Sequence, residues 1–240
     1  MEIFISNTYR EMSKQAADDV IRFMNSQKDP LICAASGHSP SGLYEELAAQ
    51  VQQKKVDVTD WYFVALDEWV GLNGNDEGSC MYHLKRELFD LLNVDNGRIC
   101  FFDGREKDLE KECENVDNYI KQHGGIHVAI LGVGMNGHIG MNEPGTSPAL
   151  RTHVTDLDAI TQKVGQKYFK EEQHLTKGIT LGITSLMEAR HIVVLASGSH
   201  KAEIIKKVLT AEISEQLPAS LLRNHPGLRI YLDKDAAQML

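Results

Sequence analysis

Short apolar runs alternate with amphipathic helical patterns along most of this chain, and that alternation leaves few folds open. Leu31–Ala35, Tyr62–Leu66, Arg98–Phe102, Val128–Leu131, Ile192–Ala196 and Leu228–Leu232 read as strands. Between them, Arg10–Asn25, Ser41–Gln53, Met81–Leu92, Lys107–His123 and His200–Leu209 carry apolar residues at helical spacing. Met12, Ala16, Val20 and Phe23, for example, share one face of the first. Strands apolar on both sides and separated by helices predict an α/β fold, a mostly parallel sheet with helices on both faces. No internal repeat or low-complexity linker interrupts the pattern, so residues 1–240 read as a single domain with enough chain for a full core. Thr155–Thr176 departs from it. The segment is polar and weakly periodic, with Lys163, Lys167 and Lys170 beside Tyr168-Phe169, and reads either as a lid or as a solvated surface helix.

Charge and cysteine usage narrow the partners. A formal net charge of −9 argues against nucleic acid or an anionic membrane as the main partner. A local cluster of N–H groups and lysines can still hold an anionic metabolite. Cys33, Cys80, Cys100 and Cys113 form no C-x-x-C pair, which points to reduced thiols rather than a zinc ribbon or redox motif. Neither a signal-peptide pattern nor a membrane-spanning stretch is present, so the expectation is a soluble, cytoplasmic protein. His38, His153 and His200 have no metal-ligand spacing, and no metal or cofactor is expected.

Four loops carry the chemistry. The Val128–Leu131 run empties into Gly132–Pro144, which holds Asn136, His138 and Glu143; a histidine with a nearby carboxylate is a proton-transfer pair. Gly132, Gly134 and Gly137 spell G-x-G-x-x-G, but a dinucleotide site needs a helix opening at the third glycine. Pro144 and the neighbouring glycines speak against that helix, and hence against a nicotinamide or flavin site. The Ser36-Gly37-His38-Ser39 loop ahead of a helix fits an anion cradle and equally a capping turn with Ser39 as N-cap and Pro40 at the first helical position. Asp67-Glu68 at a strand end reads as a source of a general base or as a solvated acidic turn, with Trp69 able to exclude water. Lys201 opens a helix after the Ile192–Ala196 strand and either reaches an anion or lies on the surface. In a parallel sheet such strand ends converge on one crevice.

With these residues assembled, the chain resembles the glucosamine-6-phosphate deaminase/isomerase family, and within it the galactosamine-6-phosphate isomerase branch. The resemblance covers nearly the whole chain and is densest at Leu66–Leu72, Gly132–Pro144, Gly178–Gly182 and Leu217–Ser220. It implies a Rossmann-like fold and a metal-free aldose–ketose isomerisation with loss of ammonia, acting on a small amino-sugar phosphate. Asp67 matches the base that moves a proton between C2 and C1, His138 the ring-opening acid/base, and Glu143 its carboxylate partner. Ser36, Gly37, His38, Ser39, Lys167 and Lys201 match phosphate-binding positions, and Thr155–Thr176 the lid. Asn136 stands where many members have aspartate, which implies weaker charge support for His138. Lys167 replaces a common arginine and gives up bidentate phosphate geometry. Ending at Leu240 without the extension some members use in an allosteric site, and with His153 where regulated relatives have lysine, the chain is expected to show hyperbolic kinetics.

Two rivals remain: a 6-phosphogluconolactonase, which needs no base for C2 proton transfer, and a non-enzymatic sugar-phosphate-sensing domain. The Asp67 block and the Asn142-Glu143-Pro144 block favour the deaminase, and no DNA-binding helix-turn-helix precedes Leu31. The sugar's C4 configuration and the oligomeric state are left open by the sequence.

Overall fold

The computed structural model describes residues 1–240. Its strands are β1 (Glu2–Ser6), β2 (Leu31–Ala34), β3 (Tyr62–Ala65), β4 (Asp67–Trp69), β5 (Ile99–Cys100), β6 (Val128–Gly132), β7 (His153–Asp156), β8 (Lys177–Thr180), β9 (His191–Ala196) and β10 (Leu228–Asp233). Seven of them form one parallel sheet in the order β1-β10-β9-β6-β2-β3-β5. The main helices are α1 (Tyr9–Asn25), α2 (His38–Gln52), α3 (Cys80–Leu84), α4 (Asp90–Leu92), α5 (Leu109–Gln122), α6 (Ala159–Gly165), α7 (Ile183–Met187), α8 (Ala202–Thr210), α9 (Pro218–Leu221) and α10 (Lys234–Ala237).

The strand period of two divides the core. Leu31 and Cys33 of β2, Ala129 and Leu131 of β6, and Val194 of β9 point to one face, where they pack with Val116 of α5 and Ile204 and Ile205 of α8. Their neighbours Ile32, Ala34, Val128, Ile130, Val193 and Leu195 point to the other, against Met12 and Val20 of α1 and Leu43 and Leu47 of α2. Helices therefore cover both faces of a fully parallel sheet, as the apolar runs require.

Several elements differ from the sequence reading. The Arg98–Phe102 run pairs only over Ile99–Cys100, because it is an edge strand whose Phe102 turns into the core. β1 carries only the three-residue apolar run Ile3-Phe4-Ile5, too short to reveal it; it is the opposite edge, with Ile3 and Ile5 exposed. Met81–Leu92 is helical, but a π-helical turn over Lys85–Phe89 separates α3 from α4.

Asp67-Glu68-Trp69 is not a turn. After Leu66 the chain leaves the large sheet and enters a small antiparallel one, β4-β8-β7, in which Asp67 faces Thr180 and Trp69 faces Gly178. Glu68 anchors this junction. Its buried carboxylate accepts hydrogen bonds from the backbone N–H groups of Trp69 (2.8 Å), Cys80 (3.0 Å) and Met81 (2.9 Å), tying β4 to the start of α3. Of the acidic pair, Glu68 thus has a structural task. Replacing it with Met should leave three buried donors without acceptors, at about 1–3 kcal/mol each before relaxation. We expect Glu68→Met to lower the melting temperature by roughly 5–15 °C in a thermal scan; an unchanged melting temperature would show that the clamp contributes nothing.

Candidate active site

The carboxyl ends of four adjacent strands, β9, β6, β2 and β3, open into one cleft of about 440 Å³. The connection leaving β2 runs to α2 on one face, and that leaving β9 runs to α8 on the other. Such divergence creates a crevice at the strand ends, and this one has the volume of a small-molecule site. Ser36, Gly37, His38 and Ser39 reach it from β2, Asp67 from β3, His138 from β6 and Lys201 from β9. Lys167 enters from the segment between β7 and β8.

One group of side chains is cationic. Helix α2 begins at His38, three residues earlier than the sequence pattern, and its N-cap is Gly37 rather than Ser39. Gly37 adopts φ 114°, a backbone state that favours glycine, and makes no side-chain cap. Ser39 lies within the first turn, so its hydroxyl is not consumed as a cap. The loop is held from outside the cleft: the Tyr9 hydroxyl donates to the His38 carbonyl (2.6 Å), accepts from the Gly42 N–H (2.7 Å), and its ring stacks on His38. Lys201 donates from Nζ to the Val133 carbonyl (2.6 Å). Burial, and then the charge of nearby Lys167, push the Lys201 ammonium down to about 8. His200 is also held below its ordinary value by burial and by Lys201, Lys167 and His38. A buried, depressed Lys201 with Lys167 nearby, beside a free helix start, is arranged for an anion that neutralises it.

The second group is built for proton transfer. Burial raises the Asp67 carboxyl to about 6, while the Cys80 thiol and the charge of His138 act in the opposite direction. Nδ1 of His138 lies 3.3 Å from Glu143 Oε2 and 3.0 Å from the Thr161 hydroxyl. Carboxylate and hydroxyl on the Nδ1 side fix the ring's orientation and leave Nε2 for chemistry. Burial alone would raise Glu143, but hydrogen bonds from His138, Thr161 and Asn136 and the imidazolium charge outweigh it and hold the carboxyl below its usual range. Asn136 and Glu143 stand behind the ring and off the cleft wall. Asn136 links the two, donating from Nδ2 to Glu143 Oε2 (2.7 Å) and accepting at Oδ1 from the His138 N–H (3.2 Å).

The 155–176 segment supplies residues the sequence reading did not single out. Its ends are paired, Asp156 to Lys177, so it leaves and returns through the small sheet. Helix α6 carries Thr161 to His138, and the short 3-10 turn Gln166–Tyr168 carries Lys167 and Tyr168 into the cleft. Leu157 and Leu175 pack with Trp69, Cys80 and Met141 in a small separate core, with Phe169 edge-on to Trp69. Trp69 thus seats this segment beside Asp67. Thr161, Cys80 and His200 gave no sequence signal, because none falls in a motif with chemical spacing. After β6 the chain turns without opening a helix at Gly137, so the glycine pattern presents no helix N-terminus to a dinucleotide. No group of three His, Cys, Asp or Glu side chains is arranged to hold a metal ion, and no helix is long and apolar enough to cross a membrane.

Comparison with known proteins shows the family and the fold. The family described as glucosamine-6-phosphate isomerases/6-phosphogluconolactonase matches residues 6–230. A glucosamine-6-phosphate deaminase of Oceanobacillus iheyensis is 38% identical over 239 residues, spanning 99% of this chain and 96% of that protein. One of Clostridium tetani is 38% identical over the full length of both. The solved structure of a monomeric glucosamine-6-phosphate deaminase superposes with a TM-score of 0.96 at 32% identity, covering 100% of each chain. A 6-phosphogluconolactonase from Thermotoga maritima shares the fold alone, with a TM-score of 0.77 at 19% identity over 97% of this chain and 98% of that one.

The His138 ring packs directly against Gly134. A Cβ on Gly134 would lie 2.2 Å from both Cδ2 and Nε2 of the ring, so alanine there must displace it. Misplacing a catalytic group by about 1 Å can cost on the order of 10²-fold. We therefore expect Gly134→Ala to fold normally by circular dichroism while losing roughly 10²-fold in turnover. Full turnover would mean that the ring's position is not critical.

Proposed function

Because the chain belongs to the glucosamine-6-phosphate isomerase/6-phosphogluconolactonase family, we propose that it is an amino-sugar-6-phosphate deaminase that isomerises glucosamine 6-phosphate to a 2-ketohexose 6-phosphate with release of ammonia. The observation that carries this reading is the pairing, in one cleft, of a carboxyl raised to about 6 near His138 with Lys167 and a depressed Lys201 at a helix start. Glucosamine is favoured over galactosamine by the names of the relatives described above. No step requires a metal or an organic cofactor, since each is a proton transfer or an addition of water.

In this mechanism Ser36, Ser39, the Gly37 and His38 backbone, Lys167 and Lys201 hold the phosphate. His138, oriented by Glu143, Asn136 and Thr161, moves a proton from the C1 hydroxyl to the ring oxygen, and the ring C1–O bond breaks. Asp67 removes the C2 hydrogen of the open-chain aldehyde and returns a proton to C1. The electron pair of the C2–H bond forms the C1–C2 double bond as the C1 carbonyl oxygen takes a proton from the C2 ammonium, and protonation at C1 leaves a C2 iminium beside a C1 hydroxymethyl group. Water adds to C2 and ammonia departs, giving the ketone. The 155–176 segment acts as a lid that keeps bulk solvent from the cleft during ring opening and C2-to-C1 proton transfer.

The direct assay is release of ammonia from glucosamine 6-phosphate, run beside galactosamine 6-phosphate. Hydrolysis of 6-phosphogluconolactone without ammonia release from either sugar would overturn the reading, as would binding without turnover. Asp67→Asn should lower kcat on the order of 10²–10⁴-fold while substrate binding persists, because an amide keeps the shape but cannot accept the proton. Turnover within about threefold of wild type would remove Asp67 from the role. His138→Gln should impair reaction from the cyclic sugar more than from an open-chain analogue; equal losses would place the histidine in enolisation or binding.

The pH dependence follows from the same two groups. Below about 6 Asp67 gains a proton and can no longer act as base, so activity falls on the acid side. Above about 8 Lys201 loses its charge and holds phosphate less well, so kcat/KM falls on the alkaline side. Lys201→Arg, which stays charged, should move the alkaline limb upward. An alkaline limb unmoved by that change would show that Lys201 does not set it.

A further inference from the structure

Tyr168 has no part in the chemistry above, yet it lines the same cleft. It ends the short turn Gln166–Tyr168, directly after Lys167. Three neighbours hold it there. Its carbonyl rests on Gly78, where a Cβ would come within 2.7 Å of that oxygen. Its ring meets His83 edge-on at 5.3 Å, and Lys167 Nζ lies 4.8 Å from the ring centroid. The hydroxyl, by contrast, is unused. The buried Tyr44 hydroxyl donates to the Ala35 carbonyl and that of Tyr231 to Asp19. That of Tyr168 makes no hydrogen bond within the protein and is not shielded from solvent, so it opens into the cleft. Burial of the ring, and after it the Cys80 and Asp67 groups, push the phenol up to about 12. The oxygen therefore keeps its proton at neutral pH and is a donor.

What this donor meets is set by Gly37. A Cβ on Gly37 would lie 3.4 Å from the Tyr168 hydroxyl, and apart from the chain neighbours of Gly37 no other heavy atom comes within 4 Å of that position. Gly37 is the N-cap of α2, whose first N–H groups have no intrahelical partner. The missing side chain thus leaves a space bounded by an unpaired hydroxyl on one side and by a helix start on the other. Both boundaries donate, and the helix start favours negative charge. A phosphate dianion presents acceptors alone on its terminal oxygens, so it can take both at once.

We propose that the Tyr168 hydroxyl is a phosphate ligand, donating a hydrogen bond to an oxygen of the C6 phosphate seated on the start of α2 and so strengthening the preference for phosphorylated over unphosphorylated sugars. The inference rests on the phosphate placement in the deaminase reading and adds to it a residue on the same turn as Lys167. The phosphate then takes ligands from the β2–α2 loop, from the 155–176 segment and from the loop after β9. The phenol contributes a donor without a charge, so it strengthens anion binding without adding to the repulsion that Lys167 exerts on Lys201. A tyrosine present only for packing would be as well served by phenylalanine.

The test compares wild type with Tyr168→Phe, which keeps the ring against His83 and Lys167 and removes an oxygen that no protein group uses. Binding of inorganic phosphate is read by isothermal titration, and turnover of glucosamine 6-phosphate by ammonia release. In the variant the Kd for inorganic phosphate should rise roughly tenfold or more, the size of one hydrogen bond to a charged group. The kcat/KM for glucosamine 6-phosphate should fall by a similar factor. An unchanged phosphate Kd would overturn the inference. If kcat/KM fell all the same, the hydroxyl would serve the sugar or the proton transfers; if it did not, Tyr168 would be packing. Absence of ammonia release by the wild-type protein, with a phosphate Kd that still depends on the hydroxyl, would overturn the deaminase reading instead and leave the phosphate contact standing.

Discussion

The placement of one buried carboxyl organises this molecule. Asp67 stands where the chain passes from the end of β3 in the large sheet into the small sheet, where it pairs with Thr180. Burying an ionisable group without a full counter-charge is costly, and the visible result is a carboxyl raised to about 6. The surroundings keep that cost tolerable. Glu68, one residue on, takes up the free N–H groups of Trp69, Cys80 and Met81 and locks the start of α3 beside Asp67. Trp69 seats the 155–176 segment next to it. A solvated aspartate at the same strand end would be a far weaker base at neutral pH.

A second electrostatic conflict mirrors the first. Lys201 is buried near Lys167, and burial together with that neighbouring charge holds its ammonium down to about 8. An acidic protein, net −9, thus keeps a local cationic pocket at the mouth of its sheet. The two conflicts have opposite sign and lie in one cleft, which suits a substrate with a phosphate at one end and an acidic C–H at the other. Net charge alone describes neither.

The large sheet was legible because its inner strands are buried on both faces and must be apolar throughout. β2, β3, β6, β9 and β10 fall where their apolar runs indicate. The small sheet was not. β4, β7 and β8 are three or four residues long and carry Asp67, Glu68, His153 and Lys177, so no run or alternation marks them. The acid pair was readable as chemistry, but its division into Asp67 for the cleft and Glu68 for the backbone appears only in three dimensions. Asn136, His138 and Glu143 were legible because they lie within one short loop. Thr161 was not, since its partner is 23 residues away and the helix that carries it is polar. The N-cap of α2 moved from Ser39 to Gly37 because a glycine with φ 114° can end the approach without a side-chain cap.

The account turns on Asp67 being tuned by burial to exchange a proton near neutrality. ¹³C NMR of protein labelled at aspartate carboxyl carbons, with the Asp67 signal assigned by its loss in Asp67→Asn, reads that directly. The account predicts a midpoint of about 6 in the free protein. It also predicts an upward move of that midpoint in His138→Gln, where the imidazolium that favours the carboxylate is gone. A midpoint near the ordinary aspartate value of about 4, unchanged by the histidine substitution, would contradict it.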